Sequence, residues 1–295
     1  MRWHELASLE GLTLHVRRGM GERPGDRRFP GRPGASGIEL EAHSAYAPGD
    51  DLRHLDWNAL GRLDTLLVRR FTAEREMVLH LLVDCSASMG VPPRDRKLAV
   101  AAELALALAF VALSANDAVR VVLLPGDGQA RVSPIFRQQA AAPRVAELLD
   151  SVAPGGRLEL GGALAAHVHR YPKAGLAIVI SDLMGEPADI EPGLLALSGR
   201  GYEVVLLHVI GREELEPARH FSRGLLRDVE SGATHPIVLS SAALTSYRAL
   251  LDGHLRALAA VAERARATYA RLVTDGSVRD FVAVELSRLG VVRRR

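Results

Sequence analysis

The chain has 295 residues, of which 48% are hydrophobic and 24% charged, and its formal net charge is +2. This composition is that of a soluble globular protein, and the near balance of charge excludes a global field that would attract nucleic acid or a membrane surface. Cys85 is the single cysteine, which excludes an internal disulfide and a metal cage built from cysteines. The N-terminal residues lack the apolar core of a signal peptide, so we expect a cytoplasmic protein without a membrane span.

The first 76 residues predict an extension that is distinct from the rest of the chain. Residues 17–36 are rich in glycine, proline and arginine, a composition that disfavours helices and interior strands. This arm is either a solvated loop or a basic contact surface for a partner. Beyond it, Ile38 and Leu40 alternate with acidic residues, and a second apolar segment begins at Leu66. We therefore predict two short strands before residue 77.

Residues 77–290 predict one α/β domain with a doubly wound, mainly parallel sheet. Four short segments are apolar on both faces and rich in Val, Ile or Leu, as buried parallel strands are: Met77–Val83, Ala118–Leu124, Leu176–Ser181 and Tyr202–Ile210. Helical patterns lie near residues 95–115, 140–151, 160–171 and 188–200, and this alternation is typical of a sheet with helices on both faces. The apolar stretch Leu98–Leu113 is too short to span a bilayer comfortably and predicts a buried helix. Residues 130–136 predict a small hairpin extension.

The C-terminal part predicts a hairpin, two helices and a free tail. Residues 225–239 form two strand patterns around a turn, and a long helix is expected over residues 241–270. The last helix begins at Ser277, where Ser277 and Asp280 resemble a capping box, and it ends at Gly290. We expect residues 291–295 to be frayed.

The most informative stretch is the loop that follows the first strand of the α/β domain. The apolar run ends at Asp84, hydroxyls follow at Ser86 and Ser88, and Gly90 closes the turn. Because ligands of open α/β sheets bind at the carboxyl ends of strands, these oxygens lie where a ligand would bind. Three oxygen ligands within five residues suit a small hard cation such as Mg²⁺.

This loop resembles the metal-ion-dependent adhesion site of von Willebrand factor type A domains. The resemblance implies that Asp84, Ser86 and Ser88 form the Asp-x-Ser-x-Ser loop of a divalent-cation site. It also implies that Asp182, at the end of an apolar segment, supplies a further ligand. The second loop of such a site provides a threonine, but Leu158 falls in that position here and offers no oxygen. The resemblance therefore implies an incomplete site for Mg²⁺ or another divalent cation.

A narrower resemblance covers residues 37–280. The string from Tyr46 to Trp57, Tyr-Ala-Pro-Gly-Asp-Asp-Leu-Arg-His-Leu-Asp-Trp, is similar to the signature of the bacterial domain-of-unknown-function family 58. The hairpin near Asp228 and the helix that carries Tyr247 also resemble that family, and the chain looks like its short soluble form. The resemblance implies an adaptor or assembly factor that binds a MoxR-type AAA+ ATPase, the ATPase's client protein, or both.

The signature residues also have a physical interpretation of their own. Asp50 and Asp51 follow a Pro-Gly turn, where their side chains can satisfy backbone donors. Arg53 and Asp56 are spaced to pair on a helix, and Trp57 is large enough to anchor the segment on the sheet domain. Two roles stay open for these five residues, a structural clamp and a partner-binding patch.

Enzymatic alternatives have weaker support in the sequence. Cys85 could act as a nucleophile, but its position at the strand end predicts a buried structural thiol. Ser88 lacks the first glycine of a nucleophile elbow, and no histidine lies in a context that identifies it as the base. We predict a non-enzymatic protein-binding module that uses the metal site. A metal-independent scaffold and a serine- or metal-dependent hydrolase are the alternatives.

Overall fold

The structure, a computed structural model, describes residues 3–15, 38–47, 55–63, 65–73, 78–219, 222–229 and 232–294. It divides into two compact units, a smaller one within Gly21–Glu76 and a larger one that combines the N-terminal residues with the rest of the chain. We predicted that residues 1–76 form one extension. Residues 3–15 belong instead to the larger unit, because their strand pairs with the C-terminal end of the chain.

The strands are mostly three to eight residues long and rich in Val, Leu and Ile. In chain order they are β1 (Leu12–Leu14), β2 (Ile38–Ala45), β3 (Leu67–Ala73), β4 (Val78–Cys85), β5 (Ala118–Pro125), β6 (Arg131–Val132), β7 (Leu176–Ser181), β8 (Glu203–Ile210), β9 (Arg223–Arg227), β10 (Thr234–Val238), β11 (Thr268–Val273) and β12 (Val292–Arg294).

The helices vary from single turns to a helix of 24 residues. They are α1 (Trp3–Ala7), α2 (Trp57–Leu63), α3 (Lys97–Ser114), α4 (Ala142–Asp150), α5 (Leu160–Arg170), α6 (Pro187–Gly199), α7 (Arg212–Leu215), α8 (Ser241–Arg264), α9 (Val278–Asp280) and α10 (Leu286–Arg288). A π-helical turn, Phe281–Glu285, joins α9 to α10.

The central sheet has six strands in the order β11-β8-β7-β4-β5-β6. All neighbouring pairs are parallel except β5 and β6. The predicted doubly wound, mainly parallel sheet is confirmed, including its four apolar strands and the short extension at β6. Strand β4 lies between β5 and β7. The chain first adds β5 on one side of β4 and later adds β7 on the other side, so the strand order reverses at β4. The loops after β4 and β7 therefore meet at the point where an open α/β sheet forms its ligand crevice.

Strand β11 was not predicted, because the helix expected over residues 241–270 is shorter. Helix α8 ends at Arg264, and Arg266 adopts a left-handed backbone with φ of 53°. The chain then returns as Thr268–Val273, parallel to β8. An arginine in this conformation reverses the chain without the glycine that usually marks a helix end.

Helices cover both faces of the sheet, and side chains of β4 alternate between two apolar layers. Leu81, Val83 and Cys85 pack in the layer that contains α3, whereas Leu82 packs in the layer that contains α5, α6 and α8. Among the described residues, α3 is long and apolar enough to cross a membrane by length and composition. Since 61% of it is buried within the fold, the predicted buried helix at this position is confirmed.

We predicted a frayed C-terminal tail, but residues 292–294 form a strand. Strand β12 pairs antiparallel with β1, with Leu12 opposite Arg294 and Leu14 opposite Val292. Val292 is fully buried, so the prediction of a free tail is wrong for residues 292–294. Ser277 does cap the last helix, since its hydroxyl accepts a bond from the amide of Asp280 at 3.2 Å.

The smaller unit contains the antiparallel pair of β2 and β3, as predicted, and helix α2. The predicted hairpin near residues 225–239 is present in the larger unit as β9 and β10. The arm at residues 17–36 lies outside the described residues.

Candidate functional site

Asp84 organises the loop at the carboxyl end of β4. Its carboxylate is buried and accepts two bonds, one from the backbone amide of Ser86 at 2.8 Å and one from the Ser181 hydroxyl at 2.6 Å. The first bond shapes the loop and the second ties it to β7. Burial and the neighbouring charge of Asp182 raise the pKa of the Asp84 carboxyl.

The two serines of the loop lie side by side. The hydroxyl oxygens of Ser86 and Ser88 are 3.1 Å apart, with Ser86 buried and Ser88 half-buried. Adjacent ligands of an octahedral Mg²⁺ site with bonds of about 2.1 Å lie about 3.0 Å apart. The two hydroxyls hydrogen-bond to each other at this distance, and the same spacing is compatible with neighbouring ligands on one small cation.

Asp182 follows β7 at the same edge of the sheet, and a lysine engages it. The ammonium of Lys97 donates to Asp182 Oδ2 at 2.7 Å and to Glu214 Oε1 at 2.5 Å. Lys97 is 1% exposed, at the start of α3. Burial lowers the pKa of Lys97, but the charges of Asp182 and Glu214 outweigh it, so the net shift is upward. The loop that carries Asp182 is thus held by a buried ion pair with Lys97.

The sequence analysis did not identify Lys97 or Glu214 as part of the site. Both are distant from Asp182 along the chain, and neither belongs to a motif. One compositional signal was available: Lys97 and Lys173 are the two lysines among 37 basic residues. An ammonium is compact and carries three donors, so it can bond to one oxygen of each carboxylate at the same time.

The second loop packs against the first one. The amide of Ala87 donates to the carbonyl of Gly156 at 2.9 Å, and the amide of Gly155 donates to the carbonyl of Cys85 at 3.0 Å. Leu158 is half-buried and packs on the apolar layer that contains α5. The loop therefore lies near the site, but its side chain at the threonine position supplies no oxygen.

The donors that these residues offer to a divalent cation are two hydroxyls and two nearby carboxylates. Ser86 and Ser88 would be its direct protein ligands, with the carboxylates of Asp84 and Asp182 supplying negative charge. Among the residues that the structure describes, no group of three or more His, Cys, Asp or Glu side chains could hold a metal. A Mg²⁺ ion bound here would keep several water ligands, as is common for this ion.

The hydroxyl of Ser88 bonds to Ser86 and not to a histidine. His208 lies near Asp182, but its Nδ1 pairs with the Tyr269 hydroxyl at 2.8 Å, and burial lowers its pKa to about 4. His254 bonds to the carbonyl of Leu183. Neither ring is placed as the base of a Ser88 nucleophile in this arrangement.

Cys85 is the buried structural thiol that the sequence predicted. It is unpaired and fully buried. Burial raises its pKa to about 12, which keeps the thiol protonated and poorly nucleophilic at neutral pH.

The signature residues are described in part. Asp50, Asp51 and Arg53 lie outside the described residues. Asp56 Oδ1 accepts bonds from the second and third amides of α2, at 3.0 and 3.1 Å, so it caps this helix. Trp57, for which a clamp and a partner-binding role both stay open, begins α2, and its side chain is 68% exposed.

The chain matches a known protein family and is similar to several bacterial proteins. Residues 43–249 match the family described as "Protein of unknown function DUF58", which confirms the resemblance seen in the sequence. An uncharacterized protein of Mycobacterium tuberculosis is 29% identical over 97% of this chain and 84% of the relative. A counterpart in Mycobacterium bovis gives the same values.

Two solved structures are also similar. BatB from Bacteroides thetaiotaomicron is 19% identical, covers 72% of this chain and 98% of its own, and has a TM-score of 0.45. The vWF domain of the type V pili tip protein Mfa5 from Porphyromonas gingivalis is 12% identical, covers 74% of this chain and 97% of its own, and has a TM-score of 0.36. Since the family match spans more than half of the sequence, the chain belongs to the DUF58 family.

Proposed function

We propose that this chain is a non-enzymatic protein-binding module that recognises a partner's carboxylate at the carboxyl edge of its sheet. The observation that carries the proposal is the 3.1 Å spacing of the Ser86 and Ser88 hydroxyls beside the buried Asp84. A divalent cation at this position supplies positive charge for a carboxylate ligand. The two hydroxyls are neutral, so they leave most of the cation's charge available for the partner.

Asp84 and Lys97 prepare the site without contacting the partner. Asp84 holds the loop by accepting the amide of Ser86, and its bond to the Ser181 hydroxyl keeps the loop in register with β7. Lys97 fixes the position of Asp182 by its bond to one carboxylate oxygen. The other oxygen, Oδ1, has a single long contact of 3.4 Å from the amide of Met184 and is the one available to water around a cation.

The partner that we propose is a MoxR-type AAA+ ATPase or its client protein, in the cytoplasm. The resemblance of the Tyr46–Trp57 signature supports this choice, and the site chemistry is compatible with it because a surface aspartate or glutamate would complete the coordination. In this role the chain would act as an adaptor or assembly factor.

A metal-independent scaffold is the second candidate, and two observations favour it. Leu158 removes one ligand, and Lys97 already places a positive charge beside Asp182. In this alternative the same edge of the sheet binds its partner directly, and removal of divalent cations leaves binding unchanged.

Manganese binding distinguishes the two candidates. Mn²⁺ is a spectroscopic substitute for Mg²⁺, and its electron paramagnetic resonance signal falls when it binds protein. We expect one site in the wild type, loss of that site in the Ser86→Ala/Ser88→Ala variant, and an unchanged site in the exposed control Ser246→Ala. Equal binding by all three proteins, or binding by none, would reject the metal-dependent proposal and favour the scaffold.

A further inference from the structure

The hairpin of β9 and β10 exposes apolar side chains on both of its faces. Leu225 is 73% exposed, Leu226 51% and Val238 68%. A two-stranded hairpin is only marginally stable on its own, and exposed apolar residues grouped on such a small element are typical of an interaction surface.

The outer edge of β9 is open. The amide of Leu239 donates to the carbonyl of Ser222, and the amide of Asp228 donates to the carbonyl of Ala233. Even-numbered positions of β9 therefore face β10. Arg223, Leu225 and Arg227 direct their amides and carbonyls away from the hairpin, and no described strand pairs with them.

The outer edge of β10 is blocked by a proline. Pro236 pairs with Leu225 in the register of the hairpin, so it occupies a position whose amide would point outward. Proline has no amide hydrogen, and it is a common device for protecting one edge of a sheet. The hairpin therefore offers one edge for pairing and not the other.

The side chains along the open edge define the chemistry of its occupant. Arg223, Leu225 and Arg227 lie on one face of β9, because alternate residues of a strand share a face. Val238 and Pro236 are opposite Arg223 and Leu225 on the same face. An added strand would satisfy this pattern with an acid, an apolar residue and an acid at alternate positions.

A second copy of the chain does not satisfy the pattern. Antiparallel pairing of two β9 edges centred on Leu225 would place Arg223 of one copy opposite Arg227 of the other. Like charges directly opposite each other destabilise a strand pair. The charge pattern thus favours a different, acidic partner over self-association.

We propose that the open edge of β9 binds an extended acidic segment of a partner protein by strand addition. Backbone bonds at Arg223, Leu225 and Arg227 hold the segment, the two guanidinium groups select its acids, and Leu225 with Val238 contacts its central apolar residue. This site is separate from the Ser86–Ser88 site, and the inference does not depend on the proposed function.

Binding of a labelled peptide, Thr-Glu-Thr-Val-Thr-Glu-Thr, to the full chain tests the proposal by fluorescence anisotropy. Leu225→Pro removes one outward amide hydrogen and leaves the bonds between β9 and β10 intact, so we expect binding to weaken at least about tenfold. Thr234→Pro makes the same change on the blocked edge, at a position that also faces outward, and should bind as the wild type does. Leu225→Ala removes most of the side chain but keeps the backbone amide hydrogen. Its affinity for the peptide therefore shows how much of the Leu225→Pro effect comes from the side chain alone.

A charge-reversal variant keeps the test decisive if Leu225→Pro disturbs the fold. Arg223→Glu/Arg227→Glu should lose the acidic peptide and gain the counterpart in which lysine replaces glutamate. The proposal is overturned if the wild type binds neither peptide or binds both equally, or if a folded Leu225→Pro variant binds as the wild type does. It is also overturned if sedimentation shows a dimer that Leu225→Pro abolishes, since the occupant would then be a second copy.

Discussion

Replacing Lys97 by methionine should destabilise the larger unit strongly. The ammonium is 1% exposed and bonds to Asp182 at 2.7 Å and to Glu214 at 2.5 Å. Its removal leaves the buried Asp182 and the mostly buried Glu214 without their shared counter-ion. Breaking a buried ion pair in this way costs about 3–5 kcal/mol, and for a unit of this size that corresponds to a fall in Tm on the order of 10 °C.

Urea unfolding and calorimetry of Lys97→Met measure this loss, and the chain provides a matched control. Lys173 is the other lysine and is exposed, so Lys173→Met should change stability by less than about 0.5 kcal/mol. A triple variant, Lys97→Met with Asp182→Asn and Glu214→Gln, removes the uncompensated charges and should recover part of the loss. If Lys97→Met and Lys173→Met are equally stable, the buried ion pair does not hold the loop that carries Asp182 as we describe.

Two further predictions follow from the buried titratable groups. Cys85 should not react with Ellman's reagent in the folded protein at pH 8, because burial raises its pKa to about 12; reaction at the rate of an exposed thiol would contradict its placement. Burial lowers the pKa of His80 to about 3 and of His167 to about 4, so below pH 6.5 the unfolded chain binds protons that the folded rings do not. The free energy of unfolding should therefore fall as the pH drops from about 6.5 towards 4, by up to about 1.4 kcal/mol per pH unit for each ring. Urea unfolding across this range should show a shallower slope for His167→Gln, and an unchanged slope would contradict the assignment.

The sequence predicted those parts of the fold that depend on local pattern. Strands β4 and β7 are rich in Leu, Val and Ile on both faces, and strands buried on both faces are expected to have that pattern. Strand β11 was not predicted because α8 ends at Arg264 and the chain reverses at Arg266, a residue type that does not signal a left-handed turn. The pairing of Leu12–Leu14 with Val292–Arg294 depends on a contact between the two chain ends, which no local pattern contains.

The residues of the candidate site that are close in sequence were predictable, and those that join it through long-range contacts were not. The loop residues Asp84, Ser86 and Ser88 are close in sequence and have a recognisable spacing, and the structure brings them together with Asp182. Lys97 and Glu214 join the site through tertiary contacts across 85 and 117 positions, so neither could be paired with Asp182 from the sequence.

Binding of a purified MoxR-type ATPase to the immobilised chain tests the central claim most directly. The measurement compares the wild type, Asp84→Ala and the control Ser246→Ala, each in Mg²⁺ and in EDTA. The account predicts that the wild type and the control bind in Mg²⁺ and lose at least about tenfold in affinity in EDTA, while Asp84→Ala binds weakly in both. Equal binding by all three proteins in both buffers would contradict it, because recognition would then depend neither on the Asp84 loop nor on a cation.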